Sequence, residues 1–205
     1  MNNGTFTVAT GNSGKLREIS EILAPVGYKC VSLKEVGKSI DNVPENGATF
    51  FENAMIKARA ARLLCGGAVL ADDSGLCVDA LDGAPGVHTA RYAGDGRNND
   101  DNIDLLLENL KNVRPEDRTA RFVCCIVAIT EDGRELHTYG ICEGRIGTER
   151  LGNNGFGYDP VFRLYNNMSL GEVSEEYKNR ISHRARALRK MAFLLRGVTK
   201  IRGLK

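Results

Sequence analysis

No run of apolar residues in this 205-residue chain approaches the ~18 that a membrane-spanning helix requires. The opening segment MNNGTFTVAT lacks the basic region and apolar stretch of a secretory signal, and strand-like material begins by Thr5. Six cysteines (Cys30, Cys65, Cys77, Cys124, Cys125, Cys142) contain no C-x-x-C pair and no histidine at zinc spacing. They are expected to be small buried hydrophobes in a reducing cytosol rather than disulfides or zinc ligands. A P-loop is missing too: the first glycine of that pattern would fall on Ala9, and Lys15 is followed by Leu16 instead of a hydroxyl. No repeat, low-complexity tract or long linker is visible. What remains is the ordinary composition of a soluble globular protein, 42% hydrophobic and 26% charged, and a cytoplasmic location is expected. The length suits one domain or one bilobed unit over residues 1–205, and no membrane partner is expected.

A net charge of +2 conceals an asymmetry. Residues 174–205 carry ten Lys/Arg and two Glu, whereas the rest carries eighteen Lys/Arg and twenty-four Asp/Glu. A basic end suits an anionic ligand or nucleic acid. Here, however, the basic residues interleave with an apolar helical stripe, Ala185, Leu188, Ala192 and Leu195. A solvated helix face explains them, and no nucleic-acid partner is expected.

Strand, glycine-bracketed turn and helix open the chain. Thr5 to Ala9 reads as a strand, and Leu16, Ile19, Ile22 and Leu23 recur at helical spacing until Pro25. Between them lie Thr10, Gly11, Asn12, Ser13, Gly14 and Lys15, which place backbone N–H groups and an ammonium at a helix N-terminus, a ready anion site. Lys29–Ser32 is a candidate second strand. Thr49 and Glu52 form a capping box that opens a helix running to about Cys65, closed by Gly66-Gly67. Glu52 thereby has a structural task, while Glu45 in the preceding loop has none. Lys57 sits two turns into that helix.

Val69-Leu-Ala-Asp72-Asp73-Ser74-Gly75-Leu76 is the centre of the pattern. An apolar run is expected to end as a strand whose tip throws Asp72 and Asp73 to opposite faces. Two adjacent anions need a cation or donors between them. A divalent-metal and water site and a plain Asp-Ser-Gly turn are both compatible with this stretch taken alone. Further on, Ile103, Leu106, Leu107 and Leu110 predict a helix, Phe122 to Ile129 a central strand, and Leu136 to Cys142 its hairpin partner around Glu131-Asp-Gly-Arg134. Gly155, Phe156, Gly157, Tyr158 and Asp159 form a glycine-rich loop with aromatics suited to stacking a flat base. A strand follows over Val161 to Leu164. Lys178 lies in a polar helical stretch, and Ser182 is a candidate cap for a last helix that carries His183 and Arg184 in its first turn.

Together these features describe a nucleotide site, and the chain resembles the inosine/xanthosine triphosphate pyrophosphatase family. The matching segments are ATGNSGK (9–15), ENGATFFENAMIKA (45–58), ADDSGL (71–76), GAPGVHTARYAG (83–94), GFGYDPVF (155–162) and SHRARAL (182–188). The resemblance implies an α/β fold, a mixed twisted central sheet with flanking helices in two lobes around an active-site cleft. It also implies hydrolysis of ITP, dITP or XTP to monophosphate and pyrophosphate, with Mg2+, in a homodimer. Thr10 to Lys15 would then hold phosphates, Asp73 would bind the metal and accept the proton, and Glu45 would be a second metal ligand. Ser74, Phe156, Gly157, Tyr158, Asp159, Lys178, His183 and Arg184 would contact the substrate, with Asp72 and Lys57 as charged groups at the reaction centre. Donors from Arg184, His183 or Lys178 aimed at the C6 carbonyl would accept hypoxanthine and xanthine and refuse adenine. Rivals are a non-hydrolytic nucleotide sensor, a nucleic-acid binder using the basic end, and a hydrolase of another altered nucleotide.

Overall fold

The structure, a computed structural model, describes residues 4–40, 43–96 and 98–202, with side chains as far as residue 196. Six strands form one mixed sheet: β1 (Gly4–Val8), β2 (Tyr28–Ser32), β3 (Val69–Val78), β4 (Thr119–Ile129), β5 (Glu135–Ile146) and β6 (Phe162–Arg163). Their order is β2-β1-β3-β4-β5-β6. β1 runs parallel to both β2 and β3, whereas β5 and β6 pair antiparallel. Five helices accompany the sheet: α1 (Ser13–Leu23), α2 (Phe50–Cys65), α3 (Asn99–Leu110), α4 (Glu175–Ile181) and α5 (His183–Arg202). The chain divides into two compact units. The first holds Met1–Asp73, Cys124–Gly140 and His183–Lys205, and the second holds Ser74–Val123 and Ile141–Ser182.

In the first unit, strand alternation sorts the core into two clusters. Leu70, Cys124, Ile126 and Ala128 pack with Ile19 and Leu23 of α1 and with Leu188, Met191 and Leu195 of α5. Val69, Ala71, Cys125, Val127 and Ile129 pack instead with Ala54, Ala58 and Ala61 of α2. Side chains two apart share a face, so α1 and α5 cover one side of these strands and α2 the other. The expected helix stripe of α1 is confirmed, with Ile19 and Leu23 fully buried. Pro25 ends it in a short 3-10 turn whose following Gly27 adopts φ 89°, a left-handed conformation that glycine takes without a steric penalty. In α2, Thr49 accepts from the Glu52 N–H at 3.2 Å, as a cap should. The reciprocal arm lands one residue early: the Glu52 carboxylate takes the Ala48 N–H at 2.6 Å.

The second unit has its own core. Leu76, Val78, Ala120, Phe122, Cys142 and Ile146 meet Ile103, Leu106 and Leu110 of α3. Asn98 caps α3 in a full capping box with Asp101. Arg118 donates to the Leu110, Val113 and Gly147 carbonyls, so its buried guanidinium closes the C-terminal end of α3.

Two expectations need correction. β3 does not stop at Ala71: it runs ten residues, which places Asp72 and Asp73 inside a strand rather than at its tip and rules out the Asp-Ser-Gly turn. The apolar residues Leu76 and Val78 beyond the carboxylates, buried in the second unit, carry the strand onward. The strand expected over residues 161–164 shrinks to Phe162–Arg163. All six cysteines are free, with Cys124, Cys125 and Cys142 buried and the other three half-buried. Of the basic section, Lys200, Arg202 and Lys205 lie outside the described side chains. No helix among the described residues is long and apolar enough to cross a membrane.

Gly140 fixes where α5 begins. A Cβ there would stand 2.0 Å from the His183 carbonyl oxygen and 2.5 Å from the Ala187 nitrogen, both backbone atoms. Nearby, the Thr138 hydroxyl donates to the Ala187 carbonyl at 2.9 Å. Gly140→Ala is therefore expected to cost ~1–3 kcal/mol, the usual penalty of overpacking. Urea denaturation checks this, and a loss below ~0.5 kcal/mol would contradict the close approach.

Candidate active site

The parity of β3 decides the site. Asp72 shares the face of Leu70, toward α1 and α5, and Asp73 shares the face of Val69 and Ala71, toward α2. Each buried carboxylate therefore needs cations from a different layer. Asp72, 1% exposed, receives Arg184 from α5, whose Nε and Nη2 donate to Oδ2 at 3.2 and 3.1 Å. Lys15 of α1 places its ammonium 3.3 Å from the same oxygen. The third guanidinium nitrogen, Nη1, donates to Glu18. Burial pushes the Asp72 carboxyl up, but Lys15, Arg184 and Lys57 outweigh it and hold the group well below the usual carboxylate range.

On the opposite face, Lys57 is 7% exposed, and its ammonium sits between two carboxylates. It donates to Asp73 Oδ1 and to Glu45 Oε2, each at 2.8 Å. Burial alone would lower its pKa, but Asp73, Asp72 and Glu45 together raise it, so it remains a cation. Asp73 is shifted upward, chiefly by burial, with Lys57 opposing. Its Oδ2 is buried and has no hydrogen-bond partner.

That oxygen and Glu45, whose side chain is 38% exposed, are the available hard donors. Among the described residues no group of three His, Cys, Asp or Glu side chains gathers as a metal cage. Two carboxylates suit a hard divalent ion of the magnesium type, which keeps several waters and takes the rest of its ligands from substrate phosphates. They do not suit a structural zinc site, which is closed by four protein ligands.

The turn before α1 presents backbone N–H groups at a helix N-terminus. The Asn12 side chain accepts the Lys15 N–H at 3.0 Å, and the Thr10 hydroxyl accepts the Asn12 N–H at 3.1 Å. Gly11, Asn12 and Ser13 are exposed. First-turn N–H groups have no partner within their own helix, so this turn directs partial positive charge outward. Thr10 to Ser13 also line a cavity of about 390 Å³ together with Ser32, Lys34 and Lys38.

The second unit assembles a separate group. Lys178 donates to Asp159 Oδ2 at 2.6 Å, both side chains buried, and that oxygen also accepts the Phe156 N–H at 2.8 Å. The Lys178 ammonium stands 4.4 Å from the centre of the Phe156 ring. Gly155 permits this turn: its φ is +77°, and a Cβ would meet Asp159 Oδ2 at 2.0 Å. Ser74 is half-buried in β3.

Two sequence expectations receive different tasks. Tyr158 is buried in the core of the second unit, and its hydroxyl donates to the Thr89 carbonyl at 3.0 Å, so its side chain supports the loop. Arg184, 1% exposed, turns all three guanidinium nitrogens to Asp72 and Glu18 rather than forward from the helix. His183 is 5% exposed at the start of α5. Sequence reasoning missed Glu18. The signal was available, since Glu18 lies one turn after Lys15 and one turn before Ile22, on a face that turns inward.

Removing Arg184 would leave Asp72 and Glu18 buried with one counter-ion fewer. Arg184→Met is expected to destabilise the protein by ~3–5 kcal/mol, as breaking a buried pair does. A loss below ~1 kcal/mol in chemical denaturation would contradict a tightly paired cluster. Acid gives an independent check. In the unfolded chain Asp72 titrates near the ordinary 3.8, while the folded carboxyl stays ionised at lower pH. Its contribution is complete above that value and is lost as pH falls toward the folded pKa. Urea midpoints measured from about pH 5 to about pH 2.5 should therefore fall less steeply for Asp72→Asn than for the wild type. Equal slopes would contradict the depressed pKa.

Comparison with known proteins places this arrangement in a family. A family model described as the Ham1 family matches residues 6–194. A protein of Bacillus licheniformis named dITP/XTP pyrophosphatase is 48% identical over 92% of this chain and 96% of the relative. A protein of the same name from Clostridium perfringens is 45% identical over 95% of this chain and 98% of the relative. Among solved structures, the Staphylococcus aureus Ham1 protein superposes with a TM-score of 0.83 at 38% identity, covering 94% of this chain and 98% of that one. A HAM1 protein from Coxiella burnetii gives 0.82 at 39% identity, covering 96% and 100%. With most of its length and its charged cluster inside the matched region, the chain belongs to the Ham1 family.

Proposed function

We infer that this chain hydrolyses deaminated purine nucleoside triphosphates (ITP, dITP and XTP) to the monophosphate and pyrophosphate. Relatives named dITP/XTP pyrophosphatase at 43–48% identity support the substrate class. The observation that carries the chemistry is Asp73: a buried carboxylate with one oxygen on Lys57 and the other without a hydrogen-bond partner, in a strand shared with Asp72. A sensor that only binds nucleotide has little use for two adjacent buried acids, which favours hydrolysis over the binding-only reading.

In the proposed reaction, Glu45 and Asp73 would hold Mg2+, which when bound would acidify water and screen the triphosphate. The Asp73 carboxylate accepts the proton of the water that attacks the α-phosphorus. Lys15 and the Thr10–Gly14 turn hold the phosphates, and Lys57 stabilises charge on the phosphoryl group and on departing pyrophosphate. Asp72 keeps Lys15 in place and is itself held by Arg184, so Asp72 and Arg184 act as positioning groups. Phe156 stacks the base, with Gly157 and Asp159 shaping its loop. Lys178 and His183 supply donors toward the C6 carbonyl, and Ser74 is a polar contact. An adenine amino group would face those donors unmatched, and mismatches of that kind discriminate by up to ~10⁴-fold. A homodimer located in the cytoplasm completes the proposal.

A panel of nucleoside triphosphates with product identification tests it. ITP, dITP and XTP should be cleaved far faster than ATP or GTP, with pyrophosphate rather than orthophosphate released. Asp73→Asn should lower kcat by at least ~10³-fold while binding of a non-hydrolysable ITP analogue persists. A folded Asp73→Asn protein with near wild-type turnover would overturn the role given to that carboxylate.

A further inference from the structure

The two carboxylates assigned to the metal already share a cation. Lys57 Nζ lies 2.8 Å from Asp73 Oδ1 and 2.8 Å from Glu45 Oε2, and its side chain is 9% exposed. A divalent ion placed on those acids must either share both with a buried ammonium or displace it. The wider inventory points the same way. In the first unit the described cluster holds four carboxylates, Glu18, Glu45, Asp72 and Asp73, against three cations, Lys15, Lys57 and Arg184. Each of these acids already faces a cation, so a doubly charged ion entering here competes with one of them. Lysine is suited to such an exchange, because its ammonium is a mobile point charge on a flexible stem, unlike the planar, triply bonded Arg184.

We propose that Lys57 holds Glu45 and Asp73 against a free divalent cation, so that the protein alone binds the cation weakly and takes it up together with the nucleotide, whose phosphates receive the ammonium. The inference rests on the metal assignment made above. Its thermodynamic content is a positive coupling between cation and nucleotide, carried by one side chain. Coupling is reciprocal, so removing Lys57 should strengthen cation binding to the protein alone and weaken the benefit that nucleotide adds. Loss of an active-site lysine ordinarily predicts only lost activity, whereas this arrangement predicts a gain in a binding equilibrium.

The test uses Mn2+ as the probe, measured by calorimetry and by the electron paramagnetic resonance of unbound Mn2+, with and without an α,β-non-hydrolysable ITP analogue. Proteins compared are the wild type, Lys57→Met and Lys57→Arg, each first shown folded by circular dichroism. Lys57→Gln replaces the methionine variant should the latter fail to fold. Without nucleotide, the neutral variant should bind Mn2+ about 10-fold more tightly than wild type, and Lys57→Arg should not. The analogue should raise Mn2+ affinity strongly in wild type and less in the neutral variant. A neutral variant that binds Mn2+ no more tightly than wild type overturns the proposal, and so does an arginine variant that gains as much as the neutral one. Wild-type pyrophosphate release from ITP is recorded in parallel. If that fails while the Mn2+ gain appears, the function falls and the lysine–cation opposition stands. If turnover is present without the gain, the reverse holds.

Discussion

Two neighbouring residues of an extended strand must point to opposite faces, and here both are acids buried in the middle of a sheet. Everything else at the site answers that constraint. Asp72 is met by Lys15 and Arg184 on the face covered by α1 and α5, and Asp73 by Lys57 on the face covered by α2. An uncompensated buried carboxylate costs several kcal/mol, so the strand is tolerable only because two separate helix layers each deliver a cation to it. The same packing that neutralises the acids gathers the Lys15 and Lys57 ammoniums and the amide turn before α1 around one short piece of backbone. On the proposed reading, stability and chemistry depend on one set of contacts.

The three cations are not equivalent. Arg184 is fully buried, makes planar contacts to two carboxylates and is the least able to move. Lys15 is partly open, with 17% of its side chain exposed, beside the amide turn that precedes α1. Lys57 is buried but flexible, and it links the two acids suited to a divalent ion. This gradation runs from a fixed strut to a group able to change partners. It matches a reaction in which charge must be held in the ground state and released toward a phosphoryl group in the transition state. In the second unit, the Asp159–Lys178 pair beneath Phe156 follows the same rule on a smaller scale, a buried charge paired with its neighbour and stacked on a ring.

Much of this was legible in the sequence because local chemistry and tertiary structure agree there. The stripe Leu16, Ile19, Ile22 and Leu23, the Thr49 cap and the parity of Asp72 and Asp73 each follow from spacing alone. The end of β3 was misjudged because two carboxylates look like a strand boundary, and only the cations that cover them let the strand continue. Tyr158 looked exposed in a glycine-rich loop, yet its ring belongs to a core whose other members lie far away in sequence. The inward turn of Arg184 was hidden for the same reason: its partner Glu18 is 166 residues away, and no periodicity reports such a pair.

Hydrolysis of ITP in ¹⁸O-labelled water tests the central claim most directly. A water deprotonated at Asp73 and directed at the α-phosphorus places the label in the inosine monophosphate and leaves the pyrophosphate unlabelled. Label recovered in pyrophosphate would mean that attack falls on the β-phosphorus, and the arrangement of Lys15, Lys57 and Asp73 described above would then be serving a different reaction.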